Sequence, residues 1–468
     1  MVLLRDRPIH IWGWSDPGES VTVSLNGATG SDTSDKYGRW SVYLPPLPAG
    51  GPYDVKVSGS NAITLDDVLV GDVWFASGQS NMEMPLKGFT GSAVIQNSEE
   101  EIRTARHPNM RLLLIPKKTS NYPLKDAPAS WTVCTPETAA EFSAAAYFFG
   151  RDVQSHENVP IGLIDSTWGG TPVEAWMSMD GISRDASLMP IFAAWARMTE
   201  QQSETALMIA AEKREDEAAK KAGQPAPHHD WHPAPESWAP AALYNGMVAP
   251  FVDFPIKGAI WYQGESNASP ERAGLYEKAF SGMIADWRAH WHVGDFPFLY
   301  VQIANFGTNA SENWSVVREA QRRTLAVANT AMAVTIDIGD STNVHPADKQ
   351  DVGARLALGA RAIAYGEKVE YSGPLFRQAT SDGSGMRVWF DHADGLQARG
   401  GELIGFEIAG ADKKFVPAAG KIEGRSIIVS NHDVPRPMYV RYGWRNTTTV
   451  INLYNEAGLP ASPFTSVQ

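Results

Sequence analysis

The chain has 468 residues, 43% of them apolar and 20% charged, with 40 basic against 53 acidic side chains. The net charge of −13 excludes a general nucleic-acid binder, which shows a basic face, and argues against docking on anionic lipid. One cysteine, Cys134, excludes an intrachain disulfide and a cysteine-rich metal site, and no apolar run approaches the ~18–20 residues that span a bilayer.

In chain order, residues 1–70 predict short strands at 10–14, 21–25, 40–44 and 53–57, punctuated by Asp16-Pro17-Gly18, Asn26-Gly27 and Gly50-Gly51. That spacing predicts a small β-sandwich. Residues 71–370 predict strands at 73–76, 161–164, 259–262, 298–301 and 333–336, with helices at 139–155, 271–290, 314–328 and 347–365. Apolar strands alternating with helices imply a parallel sheet covered on both faces, with ligands at the carboxyl ends of its strands. An insertion, 186–240, breaks the pattern: a helical stretch ends in the charged run Glu212 to Glu217, and a Pro- and His-rich loop follows. The charged run reads as a solvated helix face. Residues 371–468 return to β-type alternation.

The strand ends carry the chemistry. The first runs into Gly78-Gln79-Ser80-Asn81-Met82. A serine directly after a buried strand stands on a strand-to-helix turn, with its Oγ at the sheet's upper edge, where a nucleophile belongs. The stretch is not Gly-x-Ser-x-Gly, and the plain alternative is that Ser80 caps the next helix. The second strand runs into Trp168-Gly169-Gly170-Thr171, whose paired glycines leave N–H groups to donate to an oxyanion. The third runs into Gln263-Gly264-Glu265-Ser266-Asn267. Gln263 and Asn267 offer further donors, and Glu265 offers an acid or an orienting group. After the last strand comes His345, a base able to take the Ser80 proton and return it to a leaving alcohol. Such a base needs a partner that fixes its tautomer. Asp340 and Asp337 precede it by five and eight residues.

These stretches, Gly78 through Pro85, Trp168 through Thr171, Gln263 through Asn267 and Asn343 through Pro346, resemble the sialate O-acetylesterase family. That family belongs to the SGNH hydrolases and is related to carbohydrate esterases that include some acetylxylan esterases. Met1 through Asp6, Ala241 through Met247, Lys349 through Leu356 and Gly458 through Phe464 extend the resemblance to nearly the whole chain. It implies a three-layer, flavodoxin-like α/β SGNH domain with accessory antiparallel β-sandwich regions at both ends. It implies Ser80 as nucleophile, His345 as base, and the N–H groups of Ser80 and Gly170 as oxyanion donors. Gln263 is implied as third donor, with Asn267 as its fallback, and Gln79, Trp168, Glu265, Tyr244 and Asn245 as substrate contacts. It implies an acetylated carbohydrate as partner, without cofactor or metal. Many SGNH enzymes place Asp three residues before the His; here Thr342 stands there. The orienting group is therefore open among Asp340, Asp337 and a backbone carbonyl near Thr342.

Members usually carry a leader before the segment matched by Met1. The expectation is thus a trimmed start and a secreted or periplasmic location, or else a cytoplasmic one. Among the 16 tryptophans, Trp12, Trp14, Trp40 and Trp444 are expected in β cores, and Trp168, Trp176 and Trp231 beside the catalytic loops as a sugar platform. His228, His229 and His232 read as structural or substrate contacts rather than metal ligands. Two rivals remain: a glycan binder without turnover, and a glycosidase with paired carboxylates, which would need neither Ser80 nor His345.

Overall fold

A single 17-residue strand, Ala62–Gly78, runs through two sheets. The computed structural model describes residues 1–90, 93–227, 229, 232–307, 311–447 and 451–467. The first part of the long strand pairs antiparallel with Gly50–Ser58, and Val2–Leu4 joins it in parallel. Its second part pairs in parallel with Ile161–Thr167 on one side and Gly258–Tyr262 on the other. Burial follows the change of surroundings: residues 62–67 are exposed and 68–78 are buried throughout.

In the N-terminal sandwich, Ser20–Leu25 lies between Ala28–Thr33 and Gly50–Ser58, while Ile9–Trp14 and Arg39–Leu44 form the second sheet. Strand side chains alternate between faces, so Val21, Val23 and Leu25 meet Trp40, Val42 and Leu44 in one core. Ala28–Thr33 escaped the sequence reading because its six residues, Ala-Thr-Gly-Ser-Asp-Thr, carry no apolar alternation. Trp40 is buried as expected, but Trp14 is 54% exposed on the outer face, which corrects its placement in the core. Trp12 and Trp444 are half-buried.

The central sheet runs Thr330–Val334, Phe298–Gln302, Gly258–Tyr262, Ala62–Gly78, Ile161–Thr167, His107–Leu114 and Thr132–Cys134. Its pairings are parallel except at the Thr132–Cys134 edge. Ile161–Thr167, Gly258–Tyr262, Phe298–Gln302 and Thr330–Val334 are buried at every residue, as strands covered on both faces must be. Two strands were unforeseen: His107–Leu114 opens with His-Pro-Asn, and Thr132–Cys134 is only three residues long. The helices over the sheet include Ala144–Glu157, Tyr276–Trp291, Trp314–Thr324 and Lys349–Ile363. The single helix expected over 139–155 is two, because Ser143 starts a new one by accepting from the Ala146 N–H.

The insertion forms Pro190–Glu200 and Gln202–Lys221, and the second of these buries no residue. The C-terminal region builds two four-stranded antiparallel sheets around a core that includes Val388, Phe390, Phe406, Val440 and Phe464. Arg318 ties this region to the central domain. It is fully buried and donates to the carbonyls of Ile303, Ala304, Arg445 and Asn446 at 2.7–3.0 Å. At the amino ends of the central strands lies a cavity of about 960 Å³, lined by residues such as Arg5, His10, Tyr43 and Lys257.

Candidate active site

The long strand ends at Gly78, whose φ is +137°. A Cβ there would stand 2.2 Å from the Tyr262 carbonyl oxygen, so only glycine lets the two strands end this close. Gln79 follows as the cap of a four-residue helix, Ser80–Glu83, and its N–H donates to Tyr262 O at 3.0 Å. The Gln79 Oε1 accepts from the N–H groups of Ser266 (3.2 Å) and Gly264 (3.4 Å), so this buried side chain binds the turn to the next loop. Ser80 is half-exposed, while Gln79, Asn81 and Met82 around it are buried. As the first residue of a helix, its N–H has no partner within the helix.

The loop after Ile161–Thr167 lies directly on this serine. Trp168 N–H donates to Gly78 O at 3.1 Å. A Cβ on Gly169 would stand 3.1 Å from both the Ser80 Cβ and the Glu83 Oε2. The Gly169 N–H is taken by the Glu83 carboxylate. Gly170, at φ +69°, turns its carbonyl to the Trp238 indole N–H (2.6 Å). Trp168 is half-buried, and the Lys117 ammonium stands 5.7 Å from its ring centre while pairing with Glu83 at 2.6 Å.

Gln263 and Asn267 do not aim at Ser80. Gln263 Nε2 donates to Asn267 Oδ1 (2.7 Å) and Thr171 O (3.1 Å), and its Oε1 accepts from the Tyr276 hydroxyl (2.9 Å). Asn267 Nδ2 donates to Glu174 Oε2 (2.9 Å), and Glu174 in turn meets Arg272 at 3.0 Å. Both amides are buried, and a buried amide must satisfy its donors and acceptor. Here the nearest protein partners do so, which makes the pair a brace for residues 171–174 and corrects its reading as an oxyanion donor.

Tyr244 and Asn245 are also elsewhere. Both are buried and line a cavity of about 520 Å³ with Phe192, Trp195 and His290, where Asn245 Nδ2 donates to Ser120 O (3.1 Å). Trp176 is fully buried against Trp261, so it is core and not a sugar platform. Trp231, His228 and Asp230 lie outside the described residues. His229 and His232 meet Asp216 (3.0 Å) and Glu212 (2.9 Å) on the insertion helix.

His345 is half-buried, edge-on to Phe89 at 5.2 Å, and its Nε2 is shielded without a hydrogen-bond partner. Burial first, and the Lys349 charge second, push its pKa down to about 4, so the ring is neutral at pH 7. Asp340 does not reach it. That carboxylate is exposed and accepts from the N–H and hydroxyl of Thr342, each at 2.7 Å, closing its own turn. Asp337 is held by Arg355 at 2.6 and 2.9 Å. Neither aspartate is the orienting partner that the sequence reading allowed.

A family model described as carbohydrate esterase, sialic acid-specific acetylesterase, matches residues 70–208 and 229–362. The chain belongs to the sialate O-acetylesterase family. Mouse sialate O-acetylesterase is 30% identical over 97% of this chain and 90% of its own length. The human enzyme is 32% identical over 78% of this chain and 69% of its own. The crystal structure of a carbohydrate acetylesterase from Xanthomonas citri matches with a TM-score of 0.85 at 38% identity, covering 99% of this chain and 96% of that one. The three-layer SGNH-type fold and a carbohydrate acetylesterase activity follow from these matches.

One part of the esterase's site went unread in the sequence. Asn81 Nδ2 donates to Glu265 Oε1 (2.7 Å) and to Val344 O (2.9 Å), and its Oδ1 accepts from Lys349 Nζ (2.6 Å). Lys349 Nζ also donates to Pro346 O at 3.0 Å. Asn81 and Lys349 are buried. Burial lowers the Lys349 pKa to about 7, against the opposing pull of Glu265, and burial raises that of Glu265. Glu265 therefore holds Asn81 through its Oε1, while its Oε2 is shielded without a hydrogen-bond partner. The available signal was adjacency: Asn81 follows Ser80, and Lys349 stands four residues after His345.

Proposed function

We propose that Ser80 is the nucleophile of this acetylesterase and His345 its general base, releasing acetate from sugar esters through a serine acyl-enzyme. The observation that carries the reading is the half-exposed Ser80 at a helix start, with the Gly169-Gly170 loop laid on it. The neutral imidazole of His345, with an uncommitted Nε2, sits on a loop hydrogen-bonded to the residue after Ser80.

In this mechanism Ser80 Oγ attacks the acetyl carbonyl as its proton passes to His345 Nε2. The N–H groups of Ser80 and Gly170 receive the oxyanion; among the described residues nothing accepts from the Gly170 N–H. One such donor supplies roughly 3–4 kcal/mol of transition-state stabilisation. Collapse breaks the ester C–O bond, and the sugar oxygen leaves with the His345 proton. Water then gives its proton to His345, attacks the acetyl-serine and releases acetate with Ser80 restored.

We place the sugar against the Trp168 face. Sialic acid esters are the first substrate to test, because the family model and the mammalian relatives are named for them. A second reading, a neutral acetylated polysaccharide such as acetylxylan, has its own support: Lys117, the cation beside Trp168, is already neutralised by Glu83. The test is acetate release from 9-O-acetyl sialic acid and from acetylated xylan, side by side, with Ser80→Ala as control. Faster release from the sialate supports the first reading, and faster release from xylan replaces it with the second. Sugar binding without acetate release from either would overturn the esterase mechanism.

A further inference from the structure

We propose that Asn81, held between Glu265 and Lys349, is a positioning residue that fixes His345 against Ser80 in place of a triad carboxylate. This rests on the roles given to Ser80 and His345 above. A triad carboxylate orients the imidazole and stabilises the imidazolium that forms. Among the described residues no carboxylate touches the His345 ring, and Asp340 and Asp337 are spent on Thr342 and Arg355.

What the structure holds instead is the backbone on both sides of the ring. Asn81 Nδ2 takes the carbonyl of Val344, one residue before His345. Lys349 Nζ takes the carbonyl of Pro346, one residue after, while also donating to Asn81 Oδ1. The His345 loop is therefore pinned at two carbonyls through one amide, and that amide belongs to the residue bonded to Ser80. Glu265 fills the second Nδ2 donor position at 2.7 Å, which fixes the rotation of the Asn81 amide. Both donors and the acceptor of Asn81 are thus engaged. At 1% and 0% exposure, Asn81 and Lys349 have no solvent access to replace a lost bond.

The charges divide the two tasks of a triad acid. Lys349 faces Glu265 and Asp348 and lies 5.5 Å from the Tyr262 ring centre; Arg318 is a further cation acting on Glu265. Its own charge disfavours imidazolium on His345. The cluster supplies orientation and withholds electrostatic help. The oxyanion donors are then the groups left to stabilise charge in the transition state.

The experiment compares wild type with Asn81→Leu and Lys349→Met on a soluble acetyl ester, recording kcat, KM and the pH profile, with thermal melts to confirm folding. Misplacement of a catalytic group by about 1 Å costs on the order of 10²-fold, so kcat should fall by about that factor with KM little changed. In Lys349→Met the acid limb of kcat/KM should also move to higher pH, since a cation beside the imidazole is gone. A purely structural role would not move that limb. Wild-type kcat in either folded variant, or a fall in kcat without the shifted limb in Lys349→Met, would overturn the proposal. Unmodified enzyme supplies an independent arm: its acid limb should lie well below 6.5, and a limb near 6.5 also overturns the setting given to His345, a ring lowered first by burial and second by the Lys349 charge. Full activity in His345→Ala would instead remove the Ser80–His345 assignment itself, which distinguishes the two failures.

Discussion

Lys349 and Arg318 are both wholly buried, and each is bound to oxygen acceptors from more than one segment. Arg318 spreads its planar fork over four carbonyls, two after Phe298–Gln302 and two in the C-terminal region. Burial lowers its pKa to about 9, so it stays charged at pH 7. Lys349 has one amide and one carbonyl, and its pKa of about 7 leaves the ammonium partly deprotonated near neutrality. A guanidinium with five fixed donors suits a permanent brace between domains, whereas an ammonium is a compact point that can sit inside a catalytic loop. The same physical event, burial of a cation, thus serves architecture in one place and a reacting geometry in the other.

The largest effect belongs to the residues proposed for the chemistry beside Lys349: Ser80→Ala and His345→Ala should each lower kcat on the order of 10⁴-fold or more, with an unchanged melt. Arg318→Met should act on stability instead. It leaves the buried carbonyls of Ile303 and Ala304 and the part-buried ones of Arg445 and Asn446 without their donor, at about 1–3 kcal/mol for each buried one that finds no other partner, so urea unfolding should show a loss of roughly 3 kcal/mol. A loss in kcat beyond about tenfold in the folded variant would erase the distinction from Lys349. A smaller effect is pH-linked. Between the folded pKa of Lys349 near 7 and the ordinary value of 10.5, the unfolded chain binds more protons than the folded one. Stability from this group therefore rises as pH climbs through that window and is lost as pH falls through about 7. Melts at pH 7 and pH 9 should show a larger gain in wild type than in Lys349→Met. The smallest effect lies in the insertion, where Leu207 is 72% exposed on a helix that buries nothing: Leu207→Ser should change stability by no more than about 0.5 kcal/mol.

The central sheet was legible because its buried strands are unbroken apolar runs, as in Ala259-Ile260-Trp261-Tyr262. Two outer strands were not, since His107–Leu114, next to the sheet's edge, opens with polar residues, and Ala28–Thr33 carries no apolar alternation. In the candidate site, Ser80, Gly170 and His345, the residues proposed for the chemistry, follow strands that the sequence already marks. The partners of Gln263 and Asn267 could not, because they come from Thr171, Val173, Glu174 and Tyr276 and depend on how two loops fold back. Asp340 looked suitable by spacing, yet a carboxylate two residues before a threonine closes a local turn more readily than it reaches a distant ring. Tyr244 and Asn245 matched the family's sequence, but they line a separate cavity that Ser80 does not border.

The long strand Ala62–Gly78 also sets an order of events during folding. Its first part finds its partner in Gly50–Ser58, a neighbour in sequence, so that ladder closes a short loop. Its second part needs Ile161–Thr167 and Gly258–Tyr262, which emerge much later from the ribosome. Contacts so distant in sequence form slowly. The apolar run Val73-Trp74-Phe75-Ala76 then waits, attached to a finished hairpin, with its edges unpaired. Until those partners arrive, this run, which leads to Ser80, exposes the unpaired strand edges and apolar surface that invite mispairing.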